Sequence, residues 1–245
     1  MNKIILSFFI AASLSFSTNA SAQQTEQTFL SKIPSLPQNI CTANDAIIMK
    51  WNDKILALKN EMNVLLGDEK QRKEQAQANA QSRTDMFEPG NAERIQKLGE
   101  EIQSVETEIN AIFTTIVSSF TEKQSNVELK YSTLFDQLNQ QKRNTKSQGK
   151  NAAAIDSKIR EAKNKKCAEM SVIRSNYLSE YKKELNKLIE LGIKGNELSD
   201  KMTNMAYEGY TFHTKYGIWL GVLIGYTDEL SHLYDDMPIY ETEKK

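Results

Sequence analysis

The feature that most constrains the fold is a proline-free run from Ala92 to Ser147 with apolar residues at helical spacing. These residues recur at alternating intervals of three and four, the pattern of a helix that buries a narrow stripe against other helices. The stripe begins with Ile95, Leu98, Ile102, Val105, Ile109, Ile112 and Ile116. A phase shift after it resembles a coiled-coil stutter, which does not break a helix. Because an isolated helix would leave this stripe in water, the sequence predicts partner helices alongside.

Two further segments carry the same spacing. The first opens at Thr42 and turns polar between Asp68 and Gln81, where we expect it to stay helical but to contribute little core. The third runs from about Ala152 to Leu191, and the glycines that follow it are typical of a helix end. The sequence therefore predicts an all-α fold: an elongated antiparallel three-helix bundle, coiled-coil-like, with a smaller C-terminal helical lobe.

Four regions follow along the chain. Residues 1–22 have the pattern of a signal peptide, with Lys3, an apolar run and the cleavage motif Ala20-Ser21-Ala22. Residues 23–41 form an extended leader, residues 42–192 the bundle, and residues 193–245 an aromatic- and glycine-rich lobe with helices at about 197–207 and 213–234. The predicted location is a bacterial periplasm or the extracellular medium.

The two cysteines indicate a covalent link. In an antiparallel bundle with turns centred near residues 87 and 149.5, Cys41 lies at the level of residue 166 on the third helix. Cys167 is its neighbour in sequence. An exported protein meets oxidising conditions, so the sequence predicts a Cys41–Cys167 disulfide; two buried free thiols are the alternative.

Positive charge is concentrated at the predicted turn between the second and third helices. From Lys142 to Lys166 there are nine basic and two acidic residues, a net charge of +7. Such an end could bind a protein partner with an acidic face or an anionic membrane surface, and the alternative is a solvated turn. The candidate contacts are Lys142, Arg143, Lys146, Lys150, Lys163, Lys165 and Lys166.

The C-terminal lobe contains a second candidate surface. Gly217, Gly221 and Gly225 recur at intervals of four around Trp219, which lets another helix approach closely. We expect this segment to dock on the Ile95–Val105 end of the central helix. The alternative is an apolar segment, residues 216–226, that is released onto a membrane or a partner.

Few residues are candidates for catalysis or cofactor binding. Glu229 and His232 have the spacing of two metal ligands on one helix, but no second such pair exists, and a solvated acidic helix end is the preferred explanation. No phosphate-binding loop or catalytic signature is present in the sequence, so no cofactor or metal is predicted. The whole chain has a net charge of −1, and removal of Lys3 makes it −2, which predicts no general affinity for nucleic acid.

The functional expectation is a non-enzymatic protein that presents helical surfaces to a partner. Its class would be an exported binding, adaptor or assembly protein associated with secretion or the cell envelope. A membrane-active helical protein of pore-forming type is the first alternative, and a metal-dependent enzyme is the second.

Overall fold

The computed structural model describes residues 27–37, 40–83 and 88–235 and shows an all-α fold. Residues 27–32 are helical and Ile40–Thr42 form a 3-10 turn. The long helices are α1 (Asp45–Asn79), α2 (Pro89–Ser147) and α3 (Ala153–Ala206), followed by the shorter α4 (Gly217–Ser231). Strands β1 (Gln81–Ser82) and β2 (Tyr207–Glu208) form one antiparallel pair. The predicted signal peptide and the tail beyond residue 235 lie outside the described residues.

The predicted central helix is confirmed as α2, with its start three residues earlier than expected. Pro89 occupies the first turn, where a missing N–H costs nothing. The predicted stop at Gly149 is also confirmed. Gly149 has a φ of 71°, its N–H donates to Lys146 O (2.9 Å), and the Lys150 N–H donates to Thr145 O (3.1 Å). These two bonds form the Schellman motif that ends many helices.

The N-terminal boundaries differ from the prediction by a few residues. The first helix does not open at Thr42 as predicted, and its N-cap residue is Asn44. The Oδ1 atom of Asn44 accepts from the Ile47 N–H (3.1 Å). The leader is not extended throughout, since residues 27–32 are helical.

The predicted end of the third helix at Gly192 is wrong. α3 passes through Gly192 and Gly195 and continues to Ala206, so residues 197–206 belong to it rather than to a separate helix. Both glycines are buried, and their missing side chains make room for α4. The predicted lobe boundary at residue 193 therefore falls inside a helix.

The chain divides into two compact units, and each long helix contributes a segment to both. Unit 1 comprises the described residues of Met1–Pro34, Asp53–Phe113 and Lys182–Leu230. Unit 2 comprises the described residues of Ser35–Asn52, Thr114–Tyr181 and Ser231–Lys245.

The core of unit 2 forms where α2 and α3 pack together. Val127, Tyr131 and Leu138 from α2 lie in one apolar cluster with Ala162 and Met170 from α3. The antiparallel register of these two segments is visible in their polar contacts. The Tyr131 hydroxyl donates to Glu169 Oε1 (2.8 Å), and Lys130 Nζ donates to both oxygens of the same carboxylate (2.6 and 2.8 Å). The hydrogen bond from Lys130 lowers the pKa of Glu169 and keeps it ionised as an acceptor.

The core of unit 1 contains α4. Trp219, Leu220 and Leu223 are almost completely buried, as are Val105 and Ile109 of the α2 stripe. Phe29 from the N-terminal helical turn is buried too, with its ring centroid 6.5 Å from that of Trp219. Val105 and Ile109 are thus part of the core that contains α4, whereas Ile95, Leu98 and Ile102 at the predicted docking end are only half-buried.

Candidate functional site

The basic end predicted from the sequence lies in unit 2 and contains an open groove of about 800 Å³. The groove lies where the C-terminal part of α2 and the first turns of α3 meet. Lys142, Arg160 and Lys163 line it, together with a single acid, Asp156. The lining therefore has a net charge of +2.

Part of the groove lining is apolar. Phe135 and Ile159 line it, and both pack against the core of unit 2. Their neighbours Asn139 and Ser157 provide hydrogen-bonding groups. A groove lined by both apolar and cationic side chains suits a ligand that carries both apolar and acidic groups.

The seven predicted cationic contacts have different surroundings. Lys142 and Lys163 line the groove, but Lys142 Nζ also pairs with Asp156 Oδ1 at 2.5 Å. Two others pair within unit 2: Lys165 with Glu161 and Lys166 with Glu128, each at 2.6 Å. In the part of the chain that the structure describes, no ion pair involves the remaining three, Arg143, Lys146 and Lys150. Arg160 was not selected from the sequence, because its place on the groove depends on how α3 packs on α2.

The predicted disulfide is confirmed. Cys41 and Cys167 are bonded, with their Cα atoms 5.9 Å apart and a sequence separation of 126. Both belong to unit 2. The link ties the segment before α1 to the first third of α3.

The close packing predicted for the lobe involves glycines of α3 as well as of α4. A Cβ atom placed on Gly192 would lie 2.8 Å from both Cα and N of Trp219, closer than such atoms approach in proteins. One placed on Gly195 would lie 3.0 Å from the Ile218 side chain and 3.5 Å from that of Val105. Trp219 is only 1% exposed, and its indole N–H donates to Lys215 O (2.9 Å).

The glycines of the predicted α4 stripe are not equivalent. Gly217 has a φ of 51° and faces Asn196, whose side-chain atoms would lie 2.4–2.7 Å from an added Cβ. Gly221 has open space at that position, with nothing within 4 Å. The close approach that the sequence suggested for Gly221 is therefore absent. Gly225 is half-buried.

Two buried polar side chains hold the N-terminus of α4. Glu69 of α1 is 3% exposed, and its carboxylate accepts from the backbone N–H groups of Lys215, of Tyr216 (2.8 Å) and of Gly217 (3.1 Å). Asn196 of α3 accepts from the Ile218 N–H (2.9 Å) and donates to Tyr216 O (3.2 Å). These bonds satisfy backbone groups that a helix start leaves without partners.

A second pair of buried charges lies one helical turn further along α1 and α3. Lys73 is 8% exposed and Asp200 is completely buried. Burial lowers the pKa of Lys73 to about 8, although Asp200 and Glu69 oppose the shift. Burial also raises the pKa of Asp200 to about 8, against the opposing effect of Lys73.

Sequence reasoning missed Glu69, Lys73 and Asp200, and it considered Asn196 only as the cap of a separate helix from about residue 197. The three missed side chains are charged, and the segment that holds Glu69 and Lys73 was expected to contribute little core. The sequence carried one usable signal. Glu69 and Lys73 are four positions apart and lie on the face of α1 that buries Leu58 and Met62.

The structure does not assemble the other candidates into a site. His232 Nδ1 lies 2.5 Å from Asp235 Oδ2, and both side chains are exposed. Across residues 27–37, 40–83 and 88–235, no group of three or more histidine, cysteine or acidic residues is arranged to hold a metal ion. Over the same ranges no helix has the length and apolar content to cross a membrane.

Comparison with known proteins assigns no relative. No protein family, no curated protein and no solved structure matches this chain.

Proposed function

We propose that the protein is an exported, non-enzymatic binding protein that holds an acidic segment of a partner protein in the basic groove of unit 2. The observation that carries this proposal is the composition of the groove. Lys142, Arg160 and Lys163 line it with one acid, together with the apolar side chains of Phe135 and Ile159.

The shape of the groove favours a polypeptide segment over a membrane surface. Lipid headgroups form a broad layer that reaches exposed charges and does not fill a groove. A peptide segment can enter the groove, so its apolar side chains can contact Phe135 while its acidic ones meet the cations of the lining. Export is supported by the disulfide, which persists in oxidising compartments, and by the signal-peptide pattern of residues 1–22.

The pore-forming alternative receives less support. The apolar side chains that would enter a membrane, including Trp219, Leu220 and Leu223, are buried in the core of unit 1. A membrane-active protein would first have to release α4 from that core.

The proposal is tested with fluorescein-labelled peptides in which glutamate alternates with leucine or phenylalanine. Binding is measured by fluorescence anisotropy on the oxidised protein. The double substitution Arg160→Gln/Lys163→Gln should weaken binding about fivefold, since each exposed charge pair contributes about 0.5 kcal/mol. Lys158→Gln is the matched control, because Lys158 is exposed on the same helix and outside the groove.

Three results would count against the groove as the binding site. Equal loss in the control would indicate nonspecific attraction. Loss only with Lys146→Gln/Lys150→Gln would place binding on the turn. Binding to phosphatidylserine vesicles but to no acidic peptide would favour the membrane surface.

A further inference from the structure

The connection between β2 and α4 covers a small group of buried charges in unit 1. Glu69 and Lys73 approach it from α1, and Asp200 approaches it from α3. All three side chains are more than nine-tenths buried. Two acids and one base would leave one excess negative charge among these described residues if all were ionised. Burying an uncompensated charge is costly, and a group in that position tends to take up a proton.

The two acids differ in their hydrogen bonds. Glu69 accepts from three backbone N–H groups at the start of α4, so both of its oxygens have donors. Neither oxygen of Asp200 has a hydrogen-bond partner within normal geometry in the described chain. Asp200 therefore gains least from being ionised.

We propose that Asp200 carries a proton in the folded protein and that this proton keeps α4 docked in unit 1. Opening of the connection and of α4 exposes Asp200 to water, where it ionises. The docked state of α4 is consequently favoured by acid and weakened as the pH rises towards neutrality. This inference goes beyond the proposed binding groove, which lies in unit 2.

The other titratable groups around Asp200 are few. Lys73 and Glu69 interact with it from α1, and they oppose and reinforce the rise of its pKa, respectively. His213, in the connection itself, places Nδ1 4.0 Å from Asp200 Oδ2, and its side chain is half exposed. The Thr214 backbone approaches Asp200 without reaching normal hydrogen-bond geometry and also opposes the shift. Burial outweighs the effects of Lys73 and Thr214 and raises the pKa of Asp200 to about 8.

The sign of the effect follows from these values. The ordinary pKa of the group is 3.8, and in the folded protein it is about 8. Below pH 3.8 both states are protonated, and this contribution to stability is fully present. As the pH rises towards 8, the open state is ionised while the docked state keeps its proton. Opening therefore releases one proton, and the opening equilibrium rises by up to about tenfold per pH unit.

The test is hydrogen exchange of residues 216–224 in the full-length oxidised protein between about pH 5 and pH 8. The rates are converted to protection factors, which removes the intrinsic pH dependence of exchange. Asp200→Asn keeps the shape of the side chain and cannot ionise. The ratio of its protection factor to that of the wild type should increase by up to about tenfold per pH unit. The control is Glu190→Gln, which removes an exposed charge from the same helix and should leave the ratio constant.

An infrared measurement provides a second readout. The wild type should show the C=O stretch of a protonated carboxyl group at neutral pH, and Asp200→Asn should lack it. A constant ratio of protection factors would overturn the proposal, as would the absence of this band from the wild type. Failure of Asp200→Asn to fold would also overturn it, because the site is proposed to hold an uncharged side chain of this shape.

Discussion

Replacing Gly192 by alanine tests the closest helix contact in unit 1. A Cβ atom at this position would lie 2.8 Å from Cα and N of Trp219 and 3.1 Å from its Cβ. Two of these three atoms belong to the backbone of α4, so no side chain can rotate away to make room. Ordinary van der Waals contact of a Cβ begins at 3.4 Å. Either α4 or α3 must therefore move by about 0.6 Å, within a densely packed core.

The expected cost combines two opposing effects. Overpacking of a core typically costs about 1–3 kcal/mol, whereas replacing a helical glycine by alanine contributes about 1 kcal/mol of stability. Gly221→Ala isolates the second effect, because nothing lies within 4 Å of the added Cβ at Gly221. We therefore expect Gly192→Ala to be less stable than Gly221→Ala by about 1–3 kcal/mol.

The comparison uses urea unfolding of the oxidised protein, followed by tryptophan fluorescence and by circular dichroism. For a chain of this size each kcal/mol corresponds to about 2–4 °C in melting temperature, so thermal melts provide a second estimate. Gly99→Ala in α2 is a further control with open space around the new methyl group. Equal stability of Gly192→Ala and Gly221→Ala, with unchanged m-values, would show that the two helices are not in close contact at Gly192.

Three further predictions concern the disulfide and the buried charges. Non-reducing mass spectrometry should find the peptides of Cys41 and Cys167 crosslinked, and two alkylatable thiols in the native protein would refute the link. Replacing both cysteines by serine should lower the free energy of unfolding in urea by about 5 kcal/mol, because the disulfide closes a loop of 126 residues. Glu69→Gln should selectively lower the hydrogen-exchange protection of residues 215–217, and unchanged protection there would contradict its capping role. Because the folded pKa of Lys73 is lowered from 10.5 to about 8, its contribution to stability is present above pH 10.5 and is lost as the pH falls through 8. The free energy of unfolding of Lys73→Met should therefore rise less between pH 8 and pH 10.5 than that of the wild type. An identical rise in the two proteins would contradict this prediction.

The helices that bury an apolar stripe were predictable from the sequence. The spacing of Val105 and Ile109 depends only on local helix geometry, and Gly149 carries a local stop signal. The disulfide was predictable for the same reason, since the lengths of regular helices place Cys41 and Cys167 at one level.

The functional details depended on tertiary packing instead. Gly192 is a plausible helix stop in isolation, and only the approach of Trp219 explains why the helix continues through it. From the sequence, Glu69 looks like a solvated residue. Its hydrogen-bond partners are backbone N–H groups 146 to 148 residues further along the chain, and no local pattern predicts that contact. That Arg160 and Lys163 line a groove together with Lys142 likewise depends on how α3 packs on α2.

The long sequence separation between Glu69 and its backbone partners sets an order for folding. Chains fold from the N-terminus as they emerge during synthesis. Cys167 emerges well before α4, so the disulfide can close while α4 is still missing. Glu69 and Asn196 receive their partners only once residues 215–218 have appeared. Until then the apolar surface beside Gly192 has no cover, and the nascent protein is most prone to aggregation during that interval.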